Sequence, residues 1–159
     1  MILSVGHPGW NVKWSPDGER LAVVFEGPGQ DYLTYLVPRE GREHYLIAVD
    51  GNPIDARSPA WSPDSKRLAF ASNMTGWHNI GILDLENKNL TWLKGSQGER
   101  HSPEWSPDGK NLVYVTANGA ETWMELYREG DHPLRLQCTV IVSGGELGAG
   151  WSRGRPGCG

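Results

Sequence analysis

The tetrapeptide Trp-Ser-Pro-Asp occurs three times in this chain, at Trp14-Ser15-Pro16-Asp17, Trp61-Ser62-Pro63-Asp64 and Trp105-Ser106-Pro107-Asp108. The first two copies start 47 residues apart and the last two 44. After one further residue each copy continues with a polar pair and an apolar run. These are Glu19-Arg20 before Leu21–Phe25, Lys66-Arg67 before Leu68–Ala71, and Lys110-Asn111 before Leu112–Val115. Two copies are also preceded by Ser-Pro and one residue, Ser58-Pro59-Ala60 and Ser102-Pro103-Glu104. A self-similar period in the forties marks a β-propeller, in which each repeat supplies one blade.

The chemistry of the motif predicts strand, tight turn, strand. Proline presets φ at the second position of a type I turn, and serine and aspartate side chains bond nearby backbone. Gly18 and Gly109 follow the turn and take a positive φ without steric cost. Ser65 stands at that place in the second copy, which predicts a strained or altered turn there. The tryptophan supplies a large apolar area to wedge neighbouring sheets together. The run after the turn is short and β-rich, as in a strand covered on both faces.

Further strands follow in each unit. In the second they are Asn79–Leu85 and Leu90–Leu93, around the polar turn Asn87-Lys88-Asn89. Four short strands per unit is the blade count of a propeller. In the first unit the polar stretch Pro38–Glu43 reads as a long hairpin tip between Tyr32–Val37 and His44–Val49. No segment keeps a helical period. The expected fold is therefore all-β, a partial β-propeller of about three four-stranded antiparallel blades. The blades fall at about 8–57, 58–100 and 101–142, and 143–159 is an irregular tail or the start of a degenerate fourth repeat.

The pattern Pro-x-Trp-Ser-Pro-Asp-Gly-Lys-x-Leu-x-Phe resembles the repeat of TolB-type propellers. It is also similar to the amino-terminal propellers of the prolyl oligopeptidase family, which includes dipeptidyl peptidase IV and acylaminoacyl peptidases. Ala71–Asn79, with its Gly76-Trp77 pair, resembles the peptidase propellers more closely. The resemblance covers roughly residues 8–130. In the peptidases such a propeller caps an α/β-hydrolase domain and restricts which substrates reach its serine. In TolB-like proteins it is a docking surface for partners.

The chain has 159 residues, enough for one ordinary domain. Closed propellers have about 4–8 blades, so three leave two radial faces open and imply a sector of a longer propeller or a truncated product that must oligomerise. The expected partners are the remaining blades and, by the peptidase resemblance, an α/β-hydrolase domain with a peptide substrate. Net charge is −4 with no basic run, so nucleic-acid binding is not expected. No apolar stretch approaches membrane-spanning length, so no membrane partner is expected either. Met1–Val5 is too short for a signal peptide and lacks a basic n-region. If Met1 is the natural start, the expected location is the cytoplasm.

Gly150-Trp151-Ser152-Arg153-Gly154 matches the nucleophile elbow Gly-x-Ser-x-Gly. An elbow serine needs an acid and a histidine after it in chain order, and Arg155–Gly159 supplies neither. Trp151 follows Trp105 by 46 residues, which puts Trp151-Ser152 in register with the repeat. A fourth repeat or an aberrant tail therefore explains it better, and no catalytic residue is expected. Asp17, Asp64 and Asp108 read as turn residues, because an active site is needed once and a turn in every blade. The histidines, His7, His44, His78, His101 and His132, have no ligand spacing on one strand face. Cys138 and Cys158 fit no metal or redox motif and read as ordinary thiols, with a disulfide as the alternative. Neither metal nor cofactor is expected.

Trp14, Trp61, Trp105 and Trp151 are explained by the repeat. Trp77 and Trp123, 46 residues apart, are expected at similar places in consecutive units. Glu99-Arg100-His101 is the best polar cluster, expected where an innermost strand begins beside a central channel, with a solvated loop as the alternative. The functional expectation is a non-catalytic propeller portion of a prolyl oligopeptidase family serine peptidase, gating access to a hydrolase domain elsewhere. The alternative is a TolB-like scaffold for protein–protein interaction.

Overall fold

Fourteen strands and no helix make up the described residues, 11–26, 32–41, 44–94 and 98–136, of a computed structural model. Three four-stranded antiparallel sheets follow one another along the chain. The first is β1 (Val12–Trp14), β2 (Arg20–Glu26), β3 (Tyr32–Pro38) and β4 (Tyr45–Leu46). A two-stranded hairpin, β5 (Ala48–Val49) and β6 (Asn52–Pro53), comes next. The second sheet is β7 (Arg57–Trp61), β8 (Arg67–Ser72), β9 (Asn79–Asp84) and β10 (Leu90–Trp92). The third is β11 (Glu99–Trp105), β12 (Asn111–Asn118), β13 (Glu121–Arg128) and β14 (Leu134–Leu136). These are three blades, and Glu99 and Arg100 open the third rather than close the second.

The motif builds the same corner three times. Its tryptophan pairs with the leucine seven residues on, as Trp14↔Leu21, Trp61↔Leu68 and Trp105↔Leu112. The serine carbonyl accepts the N–H of Gly18, Ser65 or Gly109 at 2.8–2.9 Å, which places proline second in the turn. The serine hydroxyl donates to its aspartate at 2.5 Å in every copy. It also accepts the backbone N–H of Arg20, Arg67 or Asn111. The aspartate in turn accepts the N–H of Glu19, Lys66 or Lys110. The serine hydrogen bond is the chief reason that all three carboxyls titrate below the ordinary aspartate value.

Ser65 does not alter the turn. Its φ is +60°, beside +73° at Gly18 and +70° at Gly109, so serine adopts the left-handed conformation of its glycine counterparts. Such a conformation costs a side-chain-bearing residue about 1–2 kcal/mol. Two bonds from the first blade offset it: the Asp17 N–H donates to Ser65 Oγ at 3.1 Å, and Arg20 Nη2 donates to the Ser65 carbonyl at 2.5 Å. The two Ser-Pro pairs before the later motifs are β-bulges. Register shifts between Arg57 and Ala60 and between His101 and Glu104, with Ser58 at φ +47° and Ser102 at +53°. Proline has no N–H for the ladder, and a bulge is where a strand tolerates that.

Two apolar clusters lie at the blade junctions. Between the first and second blades Ala22, Ile47, Ile54 and Ala56 meet Trp61, Leu68, Phe70 and Leu83. Between the second and third, Ala60, Ala69, Ala71, Ile80 and Leu93 meet Leu112 and Tyr114. Strand β8 thus sends Leu68 and Phe70 one way and two alanines the other, and Leu68–Ser72 are all buried. Coverage on both faces is most complete in this middle blade, and in β2 it extends only over Ala22–Val24. In β12 the residues alternate buried and half-buried, because among the described residues no sheet covers the outer side of the third blade.

The hairpin tip between β3 and β4 is as long as expected, but its second arm is shorter. Gly41 N–H bonds the Pro38 carbonyl, and β4 ends at Leu46. The chain then folds into the β5–β6 hairpin around Asp50-Gly51, both at positive φ. Within the second blade Gly81 lies under the edge-on Phe70–Trp92 pair, whose ring centres are 6.0 Å apart. A Cβ there would stand 2.9 Å from both rings. Gly81→Ala is expected to destabilise the fold by about 1–3 kcal/mol, read from a urea midpoint.

Candidate functional site: the blade junctions

A motif tryptophan and the arginine that stands six residues after the preceding motif's tryptophan make a clasp between blades, and the clasp repeats. At the first junction Trp61 Nε1 donates to the Lys13 carbonyl at 3.1 Å. Arg20 lies 5.0 Å over the Trp61 ring and donates to the carbonyl of Ser65. At the second junction Trp105 Nε1 donates to the Ala60 carbonyl at 3.2 Å. Arg67 lies 4.4 Å over the Trp105 ring and donates to the Gly109 carbonyl at 3.2 Å. Each arginine therefore covers an indole face and caps the turn of the following blade.

The tryptophans are not equally placed. Trp61 is 8% exposed, Trp105 half-buried and Trp14 57% exposed. The wedge expected of Trp14 is absent, since no described sheet lies on its side of the first blade. Open clefts of about 700 and 450 Å³ remain beside the two junctions. The first is lined by Leu36, Tyr45, Leu85 and Lys88, the second by Asp84, Tyr127 and Glu129.

Glu99-Arg100-His101 lies on strand β11, not in a loop. Arg100 is 3% exposed, inside the second junction rather than facing solvent. Its Nη1 donates to Asn79 Oδ1 at 2.8 Å and to the Leu93 carbonyl at 3.2 Å, and its Nε is 3.7 Å from Glu125. Glu125 is buried and accepts from Thr116 Oγ1 and Trp123 Nε1 at 3.2 Å each. Burial pushes its carboxyl upward, but the Trp123 bond and the Arg100 charge bring it below the ordinary value. Glu99 is exposed and bonds His78, while His101 is exposed. The cluster thus divides into one interior group and two surface groups.

The pairing of Trp77 with Trp123 is also revised. Trp123 stands opposite Thr116, and the equivalent of Thr116 in the second blade, Ser72, stands opposite Asn79. Trp123 therefore corresponds to Asn79. Trp77 is 62% exposed in the loop before β9, and Trp123 lies in a strand 4.3 Å beneath Arg135. Among the described residues no group of three or more His, Cys, Asp or Glu could hold a metal. Ser152 with its elbow-like surroundings, Trp151, Cys138, Cys158, His7, Trp10 and the tail 143–159 lie outside the described residues. The clasp arginines were visible only as polar residues. Their signal is the shared repeat position of Arg20 and Arg67, with Asn111 breaking it.

Contiguous four-stranded blades packed face to face and joined by a repeated clasp define an open sector of a β-propeller. A family model described as the TolB beta propeller domain matches residues 12–128. The chain belongs to that family. Among solved structures it is similar to putative TolB from Agrobacterium tumefaciens, at 22% identity and a TM-score of 0.69, over 82% of this chain and 47% of that one. TolB from Acinetobacter baumannii matches at 22% identity and a TM-score of 0.66, over 80% and 32%. The β-propeller domain of the trilobed protease from Pyrococcus furiosus matches at 19% and 0.59, over 79% and 41%. At these identities the likeness is one of fold. The chain spans less than half the length of each.

Proposed function

We propose that this chain is a non-catalytic propeller scaffold that works by holding other polypeptide. The observation that carries this is the fate of the repeated serines and aspartates. Each hydroxyl is bonded to its own aspartate and backbone, so none is poised as a nucleophile. What remains for function is surface: the rim clefts, the exposed Met74 and Trp77, and the open faces of the outer blades. A second reading is favoured by the likeness to a protease propeller together with Gly76-Trp77. In it the chain caps an α/β-hydrolase domain in the cytoplasm and gates peptide entry, with further blades as its other partners.

The native gene beyond codon 159 separates the two. An α/β-hydrolase with a serine elbow supports the cap, and further blades before a stop support the scaffold. Either way, the purified chain is expected to hydrolyse neither peptide nor ester substrates and to leave Ser152 unlabelled by a fluorophosphonate probe. Stoichiometric labelling of that serine would overturn both readings.

A further inference from the structure

The two clefts hold equivalent places, one beside each junction, and differ in what crosses them. The pairs Arg67↔Asp84 and Asn111↔Arg128 make Leu85 and Glu129 the same repeat position. At the second junction Glu129 lies 3.4 Å from Arg67, so an ion pair spans the cleft. At the first, Leu85 stands there, and among the described residues no ion pair joins the two banks. The first cleft is also the larger, about 700 against 450 Å³, and both lie in the range of ligand pockets.

The floor of the first cleft is apolar, with Leu36 and Leu46 from the first blade and Leu83 and Leu85 from the second. Its banks carry opposite charges. Asp50, in the β5–β6 turn, is on the first-blade side, and Lys88, in the turn between β9 and β10, is on the other. Both are exposed, and neither side chain has a hydrogen bond or ion pair among the described residues. Asp84 differs, since its carboxylate accepts the N–H groups of Glu86 and Asn87 at 2.8–2.9 Å. The cleft lies between two consecutive blades, so a further blade of the propeller does not fill it.

We propose that the first cleft docks an extended segment of a partner polypeptide in which an apolar side chain stands between a basic residue and an acidic one. The apolar side chain enters over Leu83 and Leu85, the basic residue meets Asp50 and the acidic one meets Lys88. Apolar burial supplies the affinity. The two exposed ion pairs choose the segment and its direction, because surface charges discriminate and steer more than they bind. Glu129 with Arg67 closes the second cleft to the same occupant. The inference rests on the scaffold reading and names the chemistry of its partner.

The test is a heptapeptide library displayed on phage and selected on the whole chain. Enriched peptides should carry the order basic, apolar, acidic, and fluorescence polarisation with a labelled synthetic copy gives their affinity. Leu85→Glu copies the second cleft into the first and should weaken that binding at least about tenfold, as a charge set on an apolar floor implies. Lys88→Asp, at an exposed turn, should weaken it about fivefold. Selection repeated on Lys88→Asp should exchange the acidic flank for a basic one. If Leu85→Glu fails to fold, Lys88→Asp and Asp50→Asn carry the test. Peptides that bind all these variants equally sit elsewhere on the chain, which overturns the proposal and leaves the scaffold reading standing. A library that yields no binder overturns both. Self-association of the unaltered chain that Leu85→Glu abolishes would assign the cleft to a second copy, and that too overturns the proposal.

Discussion

Replacing Trp61 with alanine is expected to cost the fold about 3–5 kcal/mol, and replacing Trp14 less than about 0.5 kcal/mol. The two residues hold the same motif position, so the difference isolates where the blade stands. Trp61 is 8% exposed and packs among Ile54, Leu68 and Leu83, so truncation opens a cavity at the first junction. It also removes the donor to the Lys13 carbonyl and the ring beneath Arg20. Trp14 is 57% exposed and has little packing to lose. Urea denaturation of both variants gives the comparison. Equal midpoint shifts would mean that blade position does not govern packing, and the nearest-neighbour picture of the array would fail.

Arg100→Met is expected to cost a similar amount, about 3–5 kcal/mol at neutral pH, because it leaves a buried carboxylate without its cation. It also strips the donor from Asn79 Oδ1 and the Leu93 carbonyl. Charge accounts for part of the loss, so Arg100→Met with Glu125→Gln should recover part of it. The pH dependence has a definite sign. The folded-state pKa of Glu125 is lowered, so its contribution is complete above the ordinary carboxylate value and is lost as pH falls through the lowered one. In acid Glu125 is neutral with or without Arg100. The deficit of Arg100→Met should therefore shrink between neutral and acidic pH. A deficit that is constant or larger in acid would assign the loss to packing.

Much of this architecture was legible because the repeat states its local chemistry three times. The turn, its proline and its aspartate follow from residue types whose preferences act within a few bonds, and the structure places them as that chemistry requires. Contacts between repeats were less readable. Arg20 and Arg67 looked like ordinary solvated polar residues, because nothing local says that an indole from the next blade will lie beneath them. Arg100 looked like a surface charge until Glu125, 25 residues away in sequence, was found within its junction. Trp77 and Trp123 were matched by a spacing of 46, yet the strands of these two blades are offset by 44, as the pairs Ser72↔Asn79 and Thr116↔Trp123 show. The β5–β6 hairpin was signalled by Asp50-Gly51, a dipeptide suited to tight turns, but the longer apolar pattern around it dominated the reading.

Among the described residues every sheet is drawn from one stretch of chain, with strands in sequence order and none borrowed from a neighbouring repeat. The unit that is copied in a gene therefore coincides with the unit that folds. An in-frame duplication or deletion of one repeat adds or removes a whole blade without breaking a strand pairing inside any other. Only the two clasps flanking the change must be re-made, and the arginine and tryptophan that make them travel with the duplicated segment. Asn111 departs from that exchangeable set. A lineage that shuffled its repeats would meet a boundary at the third blade, where a copied neighbour finds no matching arginine.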